Sequence, residues 1–324
     1  MREENVVSVA ELLGRQGGSV RLVAELTESN TSRWTDWRTG FIDPVSHQGI
    51  RLLEIAEGYV DLKYGAVFLP TGELIAESTV WDPFRFLMNN PRPPISGDTR
   101  FQEGFTVFPS SSFYHFLTED LPRVAWILEA FPGRQIVGGS NCPQYAAEAA
   151  ALLTGSMKRT SATYMRVRNY PFITFGSASG WPEPSTVEFV RRLGLAWQQE
   201  VAEMSTTKIY VSRMGSSRSP VNEHQLAILA SERGYERIEA KDLSLKEQIR
   251  IFAGATSILG VHGAGLANSI WMPGGSRVIE LMDPGYYNPC YQWLSSVRGI
   301  SHQTLLLEGD STKRVELQAL ETVL

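Results

Sequence analysis

The pattern of apolar and polar positions changes character near Met204. From Lys208 onward, short apolar runs alternate with segments of helical period: a run at Lys208–Ser212 (KIYVS), a helical stretch at Asn222–Arg233, a run at Tyr235–Ile238, a helical stretch at Leu245–Phe252 and a run at Ser257–Val261. After the stop signal Pro273-Gly274-Gly275 comes one more buried run, Arg277–Leu281. Such βαβα order predicts a doubly wound parallel sheet.

The first half is less regular. Residues 1–50 are polar and without clear period, and Trp34 and Trp37, flanking Asp36, are expected to pack against the first domain. The run YVDLKYGAVFLP, a Thr71-Gly72 turn and ELIAES predict a hairpin over 58–78. A proline-rich loop, Asn89–Gly97, precedes a strand at Phe101–Phe108. Phe113, Phe116, Leu117, Leu121, Val124 and Leu128 recur at helical spacing, so a helix is expected over 113–131, capped by Ser111 or Ser112 and kinked or restarted at Pro122. Strands at Arg134–Val137 and Thr163–Val167, with helices at 144–153 and from Ser185 to about Met204, complete an α/β half. The expected domains are 1–204 and 205–324, the last helix being a candidate to pack back on the first domain.

Composition narrows the function. The chain of 324 residues is long enough for two domains, and 43% hydrophobic with 20% charged residues describes a soluble globular protein. Thirty basic against 35 acidic residues, a net charge of -5, provide no footprint for nucleic acid. The amino end, MREENVVSVAELLGRQGG, carries charges where a signal peptide needs its apolar core, and no apolar run approaches the roughly 20 residues of a membrane span, so a cytoplasmic protein without a transmembrane segment is expected. Peripheral membrane association stays open. Cys142 and Cys290 stand far apart outside any C-x-x-C spacing, which predicts reduced, structural cysteines.

The chemistry gathers at the carboxyl ends of the second-half strands. The run Ser257–Val261 enters His262-Gly263-Ala264-Gly265, and a helical pattern with Leu266, Ile270 and Trp271 comes at once after it. Two glycines let a ligand approach the backbone, and the free N–H groups at the helix start favour an anion, so His262, Gly263, Ala264 and Gly265 read as a phosphate cradle. Asn268 stands where a dinucleotide fingerprint needs its third glycine, which argues against NAD. Arg213 and Arg218 lie on a hydroxyl-rich loop after KIYVS and suit a diphosphate. Glu280, near the end of its strand, is positioned to accept ribose hydroxyls. Asn222 and Gln225 read as a capping box, Glu223 as a partner of the helix dipole, and His224 as an exposed helix residue.

The series Tyr210-Val-Ser212-Arg213, Arg218, Asn222-Glu223, Leu243-Ser244-Leu245 with Gln248, His262-Gly-Ala-Gly-Leu266 with Asn268, and Val278-Ile-Glu280-Leu resembles the carboxyl-terminal domain of glycosyltransferase family 61. A second, shorter stretch, Tyr114-His115-Phe116 with Glu119 and Leu121-Pro122-Arg123, is similar to the family's first domain. The resemblance implies an α/β protein of GT-B architecture, two Rossmann-like domains facing across a cleft, with the nucleotide sugar held by the second domain and the acceptor by the first. It implies inversion at the anomeric carbon, a UDP-linked donor, and a glycan or glycolipid acceptor in surface polysaccharide synthesis of the bacterial type. Ser212, Arg213, Arg218 and residues 262–265 would then hold the diphosphate and Glu280 the ribose, with Asp120 and Arg123 on the acceptor side.

An inverting transfer needs a base for the acceptor hydroxyl. His115 and Glu119 are i,i+4 neighbours on one helix face, so Glu119 is expected as the base with His115 orienting it or the acceptor, and His115 itself as the alternative. No Asp-x-Asp occurs in the sequence, which leads to the expectation of a metal-independent enzyme without a cofactor. The rival classes are a nucleotide-sugar-binding protein without catalysis and an NAD-dependent oxidoreductase.

Overall fold

The segment that predicted a hairpin over 58–78 holds the end of one long strand and two short strands. The computed structural model describes residues 6–14, 19–28, 30–35, 42–47, 49–79, 82–95, 101–109, 112–175, 179–198, 207–216, 219–308 and 313–324, with 30–35 and 42–47 described by backbone alone. The tryptophan cluster expected to pack at Trp34, Asp36 and Trp37 therefore lies outside the residues whose side chains are described. Contacts divide the chain into Met1–Thr186 and Val187–Leu324.

The first unit contains β1 (Val6–Val7), β2 (Val20–Glu25), β3 (Asn30–Thr35), β4 (Ile42–His47), β5 (Arg51–Asp61), β6 (Val67–Phe68), β7 (Leu74–Ile75), β8 (Phe105–Phe108), β9 (Gln135–Gly139), β10 (Met157–Thr160) and β11 (Tyr164–Ile173). A six-stranded mixed sheet runs β1-β7-β6-β5-β11, with β2 also on β5. The expected Thr71-Gly72 turn joins β6 to β7, and a second reversal precedes it between β5 and β6. β8, β9 and β10 form a separate parallel sheet, and β3 pairs with β4. Leu53, Ile55 and Phe172 of the mixed sheet share one core with Phe105, Val107 and Val137 of the parallel one. Burying each such side chain contributes about 1.5–3 kcal/mol, so this seam holds the unit together.

The helix expected over 113–131 spans 113–130 and changes pitch inside. Phe116–Asp120 is a π turn between α-helical segments. Pro122 has no N–H to give the Thr118 carbonyl, and its ring clashes with that oxygen in a regular α-helix, so the backbone widens just upstream. The expected kink is thus a wide turn. All five of its residues are buried, which brings Glu119 and Asp120 into the protein on neighbouring faces.

The second unit matches its pattern closely. β12 (Thr207–Val211), β13 (Tyr235–Ile238), β14 (Ala255–Val261), β15 (Arg277–Met282) and β16 (Ser301–Leu306) make a parallel sheet in the order β13-β12-β14-β15-β16. The helix Leu245–Ala253 opens with a capping box of Ser244 and Glu247. The helix Pro184–Ala196 gives all but its first turn to this unit. The last helix, Leu317–Glu321, buries Leu320 in this unit's core beside Leu226 and Ala230. Cys142 and Cys290 are both buried. Among the described residues no helix is long and apolar enough to cross a membrane.

Candidate functional site

The chain lays β13 outside β12 and then returns to place β14 on β12's other side. At such a reversal the loops at the strands' carboxyl ends part, and open α/β sheets bind ligands there. A crevice of about 350 Å³ opens at this point, lined by residues 211–216 after β12, 239–241 after β13, and Val261 with Gly263, Ala264 and Gly265 after β14. The predicted residues Ser212, Arg213, Gly263, Ala264 and Gly265 all border it, whereas Arg218 lies outside the described residues. Lys241, not singled out from sequence, adds an ammonium 3.3 Å from Glu239, which Arg237 also pairs at 2.6 Å.

The glycines serve the protein's own side chains. Arg213 Nη1 donates to the His262 carbonyl at 2.6 Å, and a Cβ on Gly263 would stand 1.5 Å from that nitrogen. A Cβ on Gly265 would fall 2.7 Å from Val211 Cγ1 at the end of β12. The expectation that bare backbone is left open for a ligand is therefore corrected at Gly263: the guanidinium of Arg213 occupies that space and presents its charge to the crevice. A 3-10 helix, Ala264–Trp271, begins directly after Gly263. Asn268, in the missing third-glycine position, is fully buried, donating to Gln248 at 2.8 Å and accepting from Trp271 at 3.1 Å. It pins the helix to the core.

Glu223 organises the loop that carries Arg213. Its Oε1 accepts from Tyr210 at 3.0 Å, Ser212 Oγ at 2.8 Å and the Arg213 N–H at 2.7 Å, and its Oε2 accepts from Ser219. Hydrogen bonds to a charged acceptor contribute about 1.5–3 kcal/mol each, far more than the helix-dipole role expected from sequence. Ser212 is thereby corrected as a diphosphate ligand, since its hydroxyl points inward to Glu223. Burial, then the charge of Glu223, pushes the Tyr210 phenol up. Asn222 stands at the N-cap without capping; its side chain instead exchanges two hydrogen bonds of 2.9 Å with the Val315 backbone. His224 is exposed, as expected.

Burial puts Glu280 out of reach of a ribose. It is fully buried, with Oε1 2.6 Å from His262 Nδ1 and Oε2 3.0 Å from His302 Nε2. Ser295 Oγ continues the chain, 3.0 Å from His302 Nδ1. Burial opposes ionisation, but the hydrogen bonds and charges of both histidines outweigh it and hold the Glu280 carboxyl below its ordinary value. The expected ribose contact is corrected to a positioning role: Glu280 fixes the ring of His262. That ring is itself buried, at 6% exposure, between Tyr291 at 5.0 Å and Tyr286 at 5.5 Å.

In the first unit, His115 and Glu119 meet as their spacing requires, Nδ1 to Oε1 at 2.9 Å. A segment 60 residues on closes over the pair: Ser179 Oγ lies 3.1 Å from Glu119 Oε1 and 3.2 Å from His115 Nδ1, and Gly180 N donates to the same oxygen at 3.2 Å. Tyr114 anchors this segment by donating to the Gly180 carbonyl at 2.9 Å. Glu119 is 8% exposed, but the His115 side chain is 27% exposed and so is the more open member. Burial disfavours the imidazolium, yet the hydrogen bond and charge of Glu119, with Asp120, raise the His115 pKa above its ordinary 6.5.

Asp120 and Arg123 do not face an acceptor. They are buried, at 3% and 5% exposure, and pair with each other at 3.1 Å. Arg123 also lies 5.1 Å from the Phe175 ring and covers Gly65, where a Cβ would stand 2.7 Å from its Nη2. Their expected acceptor role is corrected to a structural one, because π-turn geometry aims Asp120 inward. Nearby Asp61 is pushed up to about 6 by burial, against backbone N–H donors and the Arg123 charge.

Sequence reading missed Ser179, Gly180, Lys241, Ser295 and His302, and read Glu223 only as a partner of the helix dipole. For Glu223 a signal existed: an acidic residue just after a loop with hydroxyls at 212, 216, 217 and 219. Among the described residues no group of three His, Cys, Asp or Glu is arranged to hold a metal ion.

The sequence profile of the family described as Glycosyltransferase 61 matches residues 113–279, just over half of the chain. The match begins at the helix of His115 and stops one residue before Glu280. The chain is 28% identical over 139 residues to the EGF domain-specific O-linked N-acetylglucosamine transferase of Drosophila melanogaster. It is 31% identical over 119 residues to Protein O-linked-mannose beta-1,4-N-acetylglucosaminyltransferase 2 of Xenopus laevis. These stretches cover 42% and 35% of this chain but only 26% and 20% of the relatives, so the chain spans about a quarter and a fifth of their lengths.

Proposed function

The chain belongs to glycosyltransferase family 61, and from that premise we propose that it moves a sugar from a UDP-linked donor to a hydroxyl of a glycan acceptor, with inversion. The observation that carries this reading is the crevice at the β12/β14 switch point, where Arg213 is fixed across a glycine turn and Lys241 also lines the space. UDP-N-acetylglucosamine is the proposed donor, because both relatives are named as N-acetylglucosamine transferases.

In this reading the diphosphate lies over residues 263–265. Its departing charge is offset by Arg213, Lys241 and the N–H groups that open the 3-10 helix, preorganised donors that act without metal. In this reading the first unit activates the acceptor. Glu119 is the poorer base, since one of its oxygens already takes three hydrogen bonds. His115 is the better one. With Nδ1 held by Glu119, its Nε2 takes the hydroxyl proton as the acceptor oxygen attacks the anomeric carbon, and Glu119 stabilises the imidazolium that forms. This reverses the roles expected from sequence.

The test is calorimetric titration of UDP and uridine, then an assay for UDP release from UDP-N-acetylglucosamine. The reading requires UDP to bind far more tightly than uridine and the donor to turn over. UDP binding without any turnover would favour the non-catalytic class.

A further inference from the structure

The order of loops along the carboxyl edge of the second sheet sets a direction for a bound donor. From one side to the other these loops come after β13, β12, β14 and β15. The crevice belongs to the first three, so it lies on the β13 and β12 side of the glycine turn. The loop after β15 is on the other side, and one of its aromatic rings is about half exposed to solvent.

That ring is Tyr286, 47% exposed and 5.5 Å from His262 in an edge-to-face arrangement at 66°. Its loop is held in shape. Asp283 Oδ1 accepts from the Gly285 N–H at 2.9 Å, the Asp283 carbonyl accepts from the Tyr286 N–H at 3.0 Å, and Lys313 pairs with Asp283 at 3.1 Å. At the loop's far end the Cys290 N–H donates to Asn288 at 3.1 Å. His262 is fixed in turn by the buried Glu280, so the edge of the ring rests on a wall that does not move with it.

We propose that Tyr286 is the platform for the transferred sugar, a pyranose of the donor whose carbon–hydrogen face stacks on the phenol ring. This rests on the donor reading above. With the diphosphate over the glycine turn, the nucleoside occupies the crevice on the β12 side and the sugar emerges on the β15 side. An exposed tyrosine is suited to that position, since it offers apolar area with little conformational entropy to lose and a hydroxyl at its tip. The nucleoside has no comparable reason to reach this loop, because the crevice lies across the turn.

The experiment titrates UDP and UDP-N-acetylglucosamine into the full chain, its Tyr286→Ala variant and its Tyr286→Phe variant. Tyr286→Ala should weaken UDP-N-acetylglucosamine by roughly three- to tenfold while UDP stays within about twofold, and Tyr286→Phe should restore most of the loss. Equal weakening of both ligands would overturn the proposal and assign the ring to the nucleoside. Unchanged affinity for both would overturn it as well. Failure of the unsubstituted chain to bind either ligand would overturn the donor reading itself, an outcome distinct from a failure at Tyr286 alone.

Discussion

Among the described residues, histidine meets glutamate in each unit, at His115–Glu119 in the first and at His262–Glu280 in the second, and the two sites differ in what surrounds them. His115 and Glu119 lie on one helix, 2.9 Å apart, with the imidazole 27% exposed. His262 and Glu280 lie on neighbouring strands, 2.6 Å apart, with the carboxylate fully enclosed and shared by His302. A pair that meets solvent can exchange a proton with a substrate; a pair sealed behind its own hydrogen bonds fixes geometry instead. The same two side chains thus serve acid–base chemistry in one unit and positioning in the other.

Substitution should separate them. His115→Ala should lower turnover by about 10²- to 10⁴-fold with UDP affinity nearly unchanged, which parallel steady-state kinetics and calorimetry would measure. Near-normal turnover would place the base elsewhere. Glu280→Ala leaves two buried imidazoles without their acceptor and should cost about 3–5 kcal/mol in urea unfolding, whereas Glu119→Ala should cost about 1–2 kcal/mol. Equal losses would erase the distinction drawn between the pairs. Arg213→Ala should weaken UDP by about 1.5–3 kcal/mol and uridine much less, read by titration of both.

The pairs also differ in the sign of their response to pH. His115 has a raised pKa, so its contribution to stability is present below its ordinary 6.5 and is lost as pH rises through the higher folded value. Glu280 has a lowered pKa, so its contribution is present above its ordinary 4.5 and is lost as pH falls through the lower folded value. The deficit in unfolding midpoint relative to the parent should therefore shrink as pH rises for a His115 variant and shrink as pH falls for a Glu280 variant.

Much of the second unit was legible because strands buried in a parallel sheet read as continuous apolar runs, and β12 to β15 fall close to their expected positions. β16 escaped notice, since SHQTLL on the sheet edge is only half-buried and shows no such run. His115 and Glu119 were legible because a helix brings i and i+4 together. Partners joined by tertiary register were not: nothing local links Ser179 to Glu119, or His302 to Glu280. Burial was the other hidden quantity. Glu280 and Asp120 read as available carboxylates in sequence, and only the packing around them shows that their oxygens point inward.

The dependence of donor turnover on pH tests the account most directly, compared between the unsubstituted chain and Glu119→Gln. With His115 as base and Glu119 raising its pKa, turnover should climb with pH through a value above 6.5, and Glu119→Gln should move that limb to lower pH while reducing the plateau. A limb that stays in place after the substitution would contradict the account.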